Sequence, residues 1–423
     1  MRLVEDRKQK VVMSASSSSF EDPKVKSSLW LLAFGNFLIG TSVLMPTAML
    51  TDLSKSLTID VGTAGHLLLV TGLVIGIGAP ILAALTSKLD RRMLLAGVLL
   101  LNAAGHLASV ISPSFPELLF ARFVIAIAAA IFSPQAAAAV TLLVQPEKRE
   151  AAVAFVFVGW SAAMVVGVPV SGLISQGFGW QSAYVLVASL SILGALFLWA
   201  TLPQTLYVSA ITLSTWRSAL KNPTIIALLL VTFLSLTGQF AIFSYLSPLL
   251  AGLFSAGTFD VAFAFFLVGL TGVAGNIIAL RLALNFSAQA LVVITLSLMA
   301  TGAIILNFSS GFFAIGLFAI AVWGLGSFSS TSLQQGRLAS TAPQLASATI
   351  SLNTSTVYLG QAAGVTAGGF AFSTGNPVVF TWVAVVPLVA AIALSTTIWL
   401  KSKNEEQPSE NFPSDGVPSE NER

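Results

Sequence analysis

Cysteine is absent from this 423-residue chain, and histidine occurs twice, as His66 and His106. The first absence excludes disulfides, thiolate metal centres and cysteine nucleophiles; with so little histidine it also excludes a Cys/His metal cluster. Charge is scarce as well. Asp, Glu, Lys and Arg make up 9% of the residues, against roughly 25% in a soluble domain. A water-facing surface cannot be built from so few charges. Hydrophobic residues make up 56%, so the solvent for most of this surface is bilayer hydrocarbon. Period-two alternation is missing, which excludes barrel strands. Helices remain as the way to satisfy backbone polar groups in lipid.

What the chain does have is long apolar runs. A membrane-crossing helix needs about 20 mostly apolar residues. Gly, Pro and charge divide the sequence into twelve such runs, at 28–50, 62–87, 93–112, 116–144, 151–173, 180–202, 224–252, 260–284, 288–307, 311–333, 345–373 and 377–400. Residues 1–27 are polar and lack the apolar core of a signal peptide. The acidic, Ser/Pro-rich segment 401–423 has the composition of a disordered tail, and 1–27 reads the same way. The segment 203–223 is a linker that separates two six-helix halves, 28–202 and 224–400. Gly167 and Gly172 recur as Gly364 and Gly369, 197 residues later in both cases, as a parallel internal repeat requires. Eighteen of the twenty Lys and Arg residues fall in the two tails and alternate loops, one (Lys55) falls on the opposite side, and one (Arg122) lies inside a run. The positive-inside rule then places both termini in the cytoplasm.

Three kinds of residue stand out in the apolar background. The first is Arg122, in "ELLFARFVIAIAAAIF" (117–132). It either snorkels to the outer interface or faces a polar interior. The second is "VVGVPVSGLISQGFGW" (165–180), where Pro169 bends a helix and Gly167 and Gly172 allow close approach of a neighbour. The third is a scatter of polar and aromatic side chains: Asn36, Thr41, Gln135, Trp160, Gln239, Tyr245, Trp323, Gln334, Asn353, Tyr358 and Gln361. Each alone is as well explained by an interhelical hydrogen bond. As a set they outline a weakly charged, hydrogen-bonding cavity suited to a neutral or mildly amphipathic solute.

Several of these stretches resemble the major facilitator superfamily, in particular its twelve-span drug and sugar efflux branch, the arabinose-efflux-permease and chloramphenicol-efflux group of drug:proton antiporters. "GVPVSG" followed by "GW" is similar to the antiporter motif of span 5, and "LLFARFVIAI" to the span-4 arginine motif. "DVGTAGHLLLVTGLVIGIGAPILAAL", "FSYLSPLL" and "LQQGRLASTAPQ" resemble spans 2 and 7 and the loop between spans 10 and 11. The resemblance implies an all-α polytopic transporter of the inner or plasma membrane, working by alternating access, with Arg122 facing the cavity. It implies Gly167, Pro169, Gly172, Asp90, Arg91 and Arg92 as conformational motifs.

The departures are specific. The loop motif after span 2 reads "ALTSKLDRRM", with Lys88 where the family has an aspartate and Asp90 out of register. Span 1 reads "GTSVL" where relatives often carry "GTSEF" or "GTTEF", so Val43 replaces an acid. At 1.5 Å per residue, Val43 and Arg122 both lie roughly 10 Å deep. Without that acid, Arg122 must turn to span-1 carbonyls, Thr41, Asp52, Glu117 or the substrate. Proton coupling needs a titratable group, and His66, His106 and Asp52 are the candidates; the simpler reading of each is an interfacial or helix-end polar group. Neither a cofactor, a resident metal nor a nucleic-acid partner is called for, and a monomer suffices. "TGLVIGIGAP" lacks the Lys-Ser/Thr of a nucleotide loop, and no nucleophile–histidine or paired-carboxylate arrangement suggests an enzyme. The leading expectation is a proton-coupled exporter. A facilitator or importer, and more remotely a non-transporting receptor or scaffold, are the alternatives.

Overall fold

The computed structural model of the chain describes residues 23–406 except 87, 205, 207–212, 343 and 344. Among the described residues there are helices and no strands. The first series is α1 (Pro23–Leu44), α2 (Leu50–Leu57), α3 (Val61–Leu85), α4 (Arg91–Val110), α5 (Phe115–Leu143), α6 (Arg149–Ala162), a wide π turn (Ala163–Gly167), α7 (Val168–Phe178) and α8 (Trp180–Thr201). After α9 (Leu213–Lys221) the second series is α10 (Pro223–Phe243), α11 (Leu246–Phe254), α12 (Thr258–Leu282), α13 (Ala288–Phe308), α14 (Phe313–Thr341), α15 (Ala346–Ser373) and α16 (Pro377–Glu406). Helices starting at Val61, Arg91, Arg149 and Trp180 have counterparts starting at Thr258, Ala288, Ala346 and Pro377, each 197 residues later. The glycine spacing in the sequence is thus a spacing of whole helices.

Eleven of these stretches are long and apolar enough to cross a membrane. α15 is not among them: its 28 residues include Asn353, Tyr358, Gln361 and many Ser, Thr and Gly. It packs against α3 on one side and α10 on another, so much of its surface meets protein rather than lipid.

Local chemistry sets the boundaries. Asp60, Asp90, Asn222 and Ser287 cap α3, α4, α10 and α13 by accepting from backbone N–H groups two or three residues on. The Thr63 hydroxyl and amide both donate to Asp60 and hold its carboxyl below the usual carboxylate range. The expected first span, 28–50, is broken: α1 stops at Leu44, a 3₁₀ turn carries Pro46, and α2 follows. The expected seventh is broken in the same place, between α10 and α11. Residues 23–27 and 401–406 are helical, not tail, and α9 lies within the expected linker. The remainder of both expected tails lies outside the described residues.

The two series join mainly along α3–α15 and α7–α12, and where α2 meets α11. Glycines make these seams close. A Cβ on Gly72 would stand 2.7 Å from the Tyr358 carbonyl oxygen, and one on Gly269 would stand 2.8 Å from Val165 Cα. Near α2 and α11, a Cβ on Gly369 would stand 2.6 Å from the Tyr245 hydroxyl and 3.7 Å from Gly62 Cα. Thr258 also donates its hydroxyl to Gln176 across this end.

Gly72→Leu should therefore destabilise the protein by about 1–3 kcal/mol, because backbone on α15 cannot swing aside. Gly97→Leu, where a Cβ meets nothing within 4 Å, should leave stability nearly unchanged. Thermal unfolding of both variants in detergent micelles checks the contrast.

Candidate functional site

Arg122 is 1% exposed. Its Nε donates to Thr71 Oγ1 (2.7 Å) and to the Leu67 carbonyl (3.1 Å) on α3. Nη1 and Nη2 donate to the carbonyls of Ser42 and Val43 on α1, both at 2.5 Å. Those carbonyls are available for a local reason. Pro46 has no N–H, so the Ser42 carbonyl four residues earlier has no helical donor. α1 then ends at Leu44, which frees Val43 as well. The guanidinium caps the negative end of α1. All its partners are neutral oxygens, and Val43 contributes its backbone carbonyl. In place of the expected cavity-facing arginine, the structure shows Arg122 buried, with each of its three nitrogens donating to a neighbouring helix. Of its expected partners, span-1 carbonyls serve. Thr41 lies against Gly167, its hydroxyl buried without a partner. Asp52 accepts from Ser175 (2.6 Å), and Glu117 is exposed.

Ser42 links this cap to a second polar group. Its hydroxyl donates to the Leu38 carbonyl (2.8 Å) and accepts from Asn102 Nδ2 (3.1 Å). His106 Nε2 lies 2.8 Å from the same oxygen. Asn102 Nδ2 also donates to Ser191 (3.0 Å). His106 is fully buried and meets Tyr184 edge to face, with ring centroids 5.2 Å apart. His106 Nδ1, Asn102 Oδ1 and the Tyr184 hydroxyl are buried without a hydrogen-bond partner. His66 is exposed on α3, so the structure does not bring the two histidines into one site.

The expected cavity residues separate into two groups. In the first, the polar atoms are used between helices. Trp160 Nε1 donates to Ser133 (3.1 Å), Ser133 to Asn36 Oδ1 (2.7 Å), and Asn36 Nδ2 to the Val156 carbonyl (3.2 Å). Asn353 accepts from Thr232 (2.9 Å), Gln334 donates to the Leu228 carbonyl (2.8 Å), and Tyr245 donates to the Val365 carbonyl (3.1 Å). Gln135 reaches Thr86 at 3.4 Å. The second group keeps unpartnered buried atoms: Gln239 Oε1 on α10, Gln361 Nε2 and Ser355 Oγ on α15, and Trp323 Nε1 on α14. Tyr358 is half-buried on α15. Trp323 stacks on Phe243 and lines an apolar crevice with Ile242, Ala303 and Ile320.

Residues 32–365 match the sequence profile of the Major Facilitator Superfamily. The chain belongs to that superfamily. It is 27% identical over 315 residues to a probable sugar efflux transporter of Helicobacter pylori (strain G27), covering 74% of this chain and 80% of that one. It is 27% identical over 383 residues to the inner membrane transport protein YdhP of Escherichia coli O157:H7, covering 89% and 95%. Its fold matches that of a bacterial homolog to the human lysosomal transporter Spinster, solved inward-facing and unoccupied. That match has a TM-score of 0.72 at 16% identity and covers 92% of this chain and all of the other. The protein is a multi-span membrane transporter and not an enzyme.

In this transporter the span-5 motif has a definite geometry. The π turn at Ala163–Gly167 absorbs the donor that Pro169 lacks. Gly167 and Gly172 face α1 and the Pro46 turn, through Thr41 and Ala48, while Val165 faces α12. The loop motif does something other than its register suggests. Asp90 caps α4 and accepts from the Leu206 amide (2.9 Å), and the Arg91 amide donates to the Leu206 carbonyl (3.1 Å). Buried Arg91 donates to the Thr86 and Leu89 carbonyls, and Arg92 lies 4.9 Å over the Trp199 ring. These three residues fasten the start of the linker to the α3–α4 loop.

Ser42, Thr71, Asn102 and Tyr184 were not singled out from the sequence. The readable signal was Pro46, four residues after Ser42. Arg337, assigned to a loop, is buried on α14, donating to Gln334 (3.0 Å) and Ser395 (2.9 Å).

Arg122→Met should destabilise the transporter by about 2–4 kcal/mol, since two buried carbonyls lose their donors. Arg122→Lys should recover little, because a single ammonium cannot span acceptors on α1 and α3. Denaturant unfolding in micelles measures both, and wild-type stability in Arg122→Met would remove the capping role.

Proposed function

We propose that this protein is a secondary exporter of a small neutral or mildly amphipathic solute, driven by proton entry and working by alternating access between two six-helix halves. The observation that carries the reading is on α15, which packs on α3 of the first half and on α10 of the second. Gln361 Nε2 and Ser355 Oγ on α15 and Gln239 Oε1 on α10 are buried and unpartnered. Unsatisfied amide and hydroxyl groups on the helix that joins the halves, and on its neighbour, suit a ligand rich in hydroxyls. On this reading α15 is the twelfth span, and its polar sequence reflects a position against protein. The names of the sugar efflux relatives support the solute class. The Lys and Arg distribution supports cytoplasmic termini, which turns the α2/α11 end outward. The contacts of Gly62, Gly65, Tyr245 and Gly369 then favour a state shut on the outside. A facilitator without proton coupling is the second reading, favoured by the carbonyl-only surroundings of Arg122.

The test is a proteoliposome assay with a panel of neutral sugars, polyols and antibiotics under an imposed pH gradient. Gradient-dependent movement is expected; movement indifferent to the gradient supports the facilitator. Gln361→Leu should raise the KM of the transported compound about tenfold, the equivalent of one lost hydrogen bond, and an unchanged KM would exclude that residue.

A further inference from the structure

We infer that His106 is where the coupled proton binds. The inference rests on the reading that proton entry drives export. Asp52 and Asp90 are half-buried and Asp60, Glu117 and Asp260 exposed, whereas His106 is fully buried on α4. Its hydrogen bonds define which nitrogen is available. With the Ser42 hydroxyl hydrogen on the Leu38 carbonyl, His106 Nε2 is the donor to Ser42 Oγ. Nδ1 is then a bare acceptor, and it is unpartnered. A proton transferred from water to Nδ1 gives an imidazolium without disturbing the Ser42 bond.

The surroundings connect that proton to the outer closure. α4 packs on α1, α5 and α8. From α1 it faces Ser42, which does not titrate; from α5, the Arg122 guanidinium; from α8, the Tyr184 phenol. Among the described residues, an imidazolium there has a cation as its charged neighbour and no carboxylate beside it, so proton uptake favours arrangements that admit water or separate the two. Ser42 is shared by both cations: its hydroxyl binds His106 and its carbonyl binds Arg122. That carbonyl belongs to the last turn of α1, from which the Pro46 turn leads to α2 at the closed end.

The second repeat is built without these residues. In the second repeat, 197 residues on, His106, Asn102 and Tyr184 are matched by Ala303, Met299 and Thr381, and Arg122 by Ile320 at 198. Ala303 and Ile320 line an apolar crevice. The same architecture therefore closes with apolar groups in one half and a buried ionisable site in the other.

The test exploits the absence of cysteine. Spin labels on Lys55→Cys (α2) and Gly252→Cys (α11) report the outer closure by electron–electron distance in nanodiscs, from about pH 8 to about pH 5. The distance should lengthen as pH falls in the labelled parent and in His66→Gln, and stay fixed in His106→Gln, which keeps a donor for Ser42. If His106→Gln lengthens like the parent, the proton binds elsewhere: the inference is overturned while proton coupling stands. If the parent itself ignores pH, both fail. Histidine-labelled NMR of His66→Gln needs no His106 variant. Its single histidine signal should titrate together with the distance change, and a signal that never titrates over this range overturns the inference.

Discussion

One missing backbone hydrogen organises the first repeat. Pro46 cannot donate to the Ser42 carbonyl, and in a water-free interior that carbonyl must find a partner. It finds Arg122, whose planar fork also takes Val43, Thr71 and Leu67 and so ties α5 to α1 and α3. The constraint works in both directions. The guanidinium is tolerable in apolar surroundings because four oxygens converge on it, and the broken helix is tolerable because a cation caps it. The break lets α2 turn aside and meet α11, which is how the closure at that end is made.

The second constraint is close approach. Helices in lipid gain little from hydrophobic burial against each other and depend on packing distance. Glycines occur where the two series touch: 62, 65, 72 and 76 on α3, 269 on α12, and 369 on α15. Gly72 and Gly269 meet backbone of the facing series, Gly76 the Leu359 side chain, and Gly65 and Gly369 the Tyr245 side chain. The bonds within each series, such as Trp160–Ser133–Asn36 and Thr232–Asn353, hold each half as a unit. The clamp of Asp90 and Arg91 on Leu206 ties the linker to the first half.

The long helices were legible because apolar length and charge punctuation are strong signals in a chain with so few charges. Breaks were less legible. Pro46 sits inside a run that reads as one span, and the end of α14 reads as a loop because Gln, Arg and Ser resemble one. The residues of the site were legible as types but not as partnerships. Asn36 and Trp160 stand out as polar atoms in apolar helices, yet nothing in their spacing says that Ser133 lies between them. Ser42 is invisible for the opposite reason: serine is common in such helices, and its importance comes from two neighbours 60 and 64 residues away. The offset of 197 residues, in contrast, was readable from two glycine pairs, because at Gly167, Gly364 and Gly369 a Cβ would stand within 2.6 Å of a neighbour.

The two repeats raise a question that packing alone does not answer. Buried ionic groups are poor sources of stability, and well-packed hydrophobic replacements are often neutral or stabilising. The second repeat shows the replacement accomplished, with Ile320 and Ala303 at the positions of Arg122 and His106. If the cluster in the first half served only to hold helices together, the apolar solution would be available there as well. Part of the cluster is explained by Pro46, whose orphaned carbonyl needs a donor. That accounts for Arg122 and leaves His106, Asn102 and Tyr184, each with an unpartnered atom. Unsatisfied polar atoms in a dry interior are costly in the state that buries them. On the proposed alternating-access reading, water or a proton reaches them in another state of the same molecule. The cost of burial then becomes a bias between conformations, as a transporter that must open and close requires.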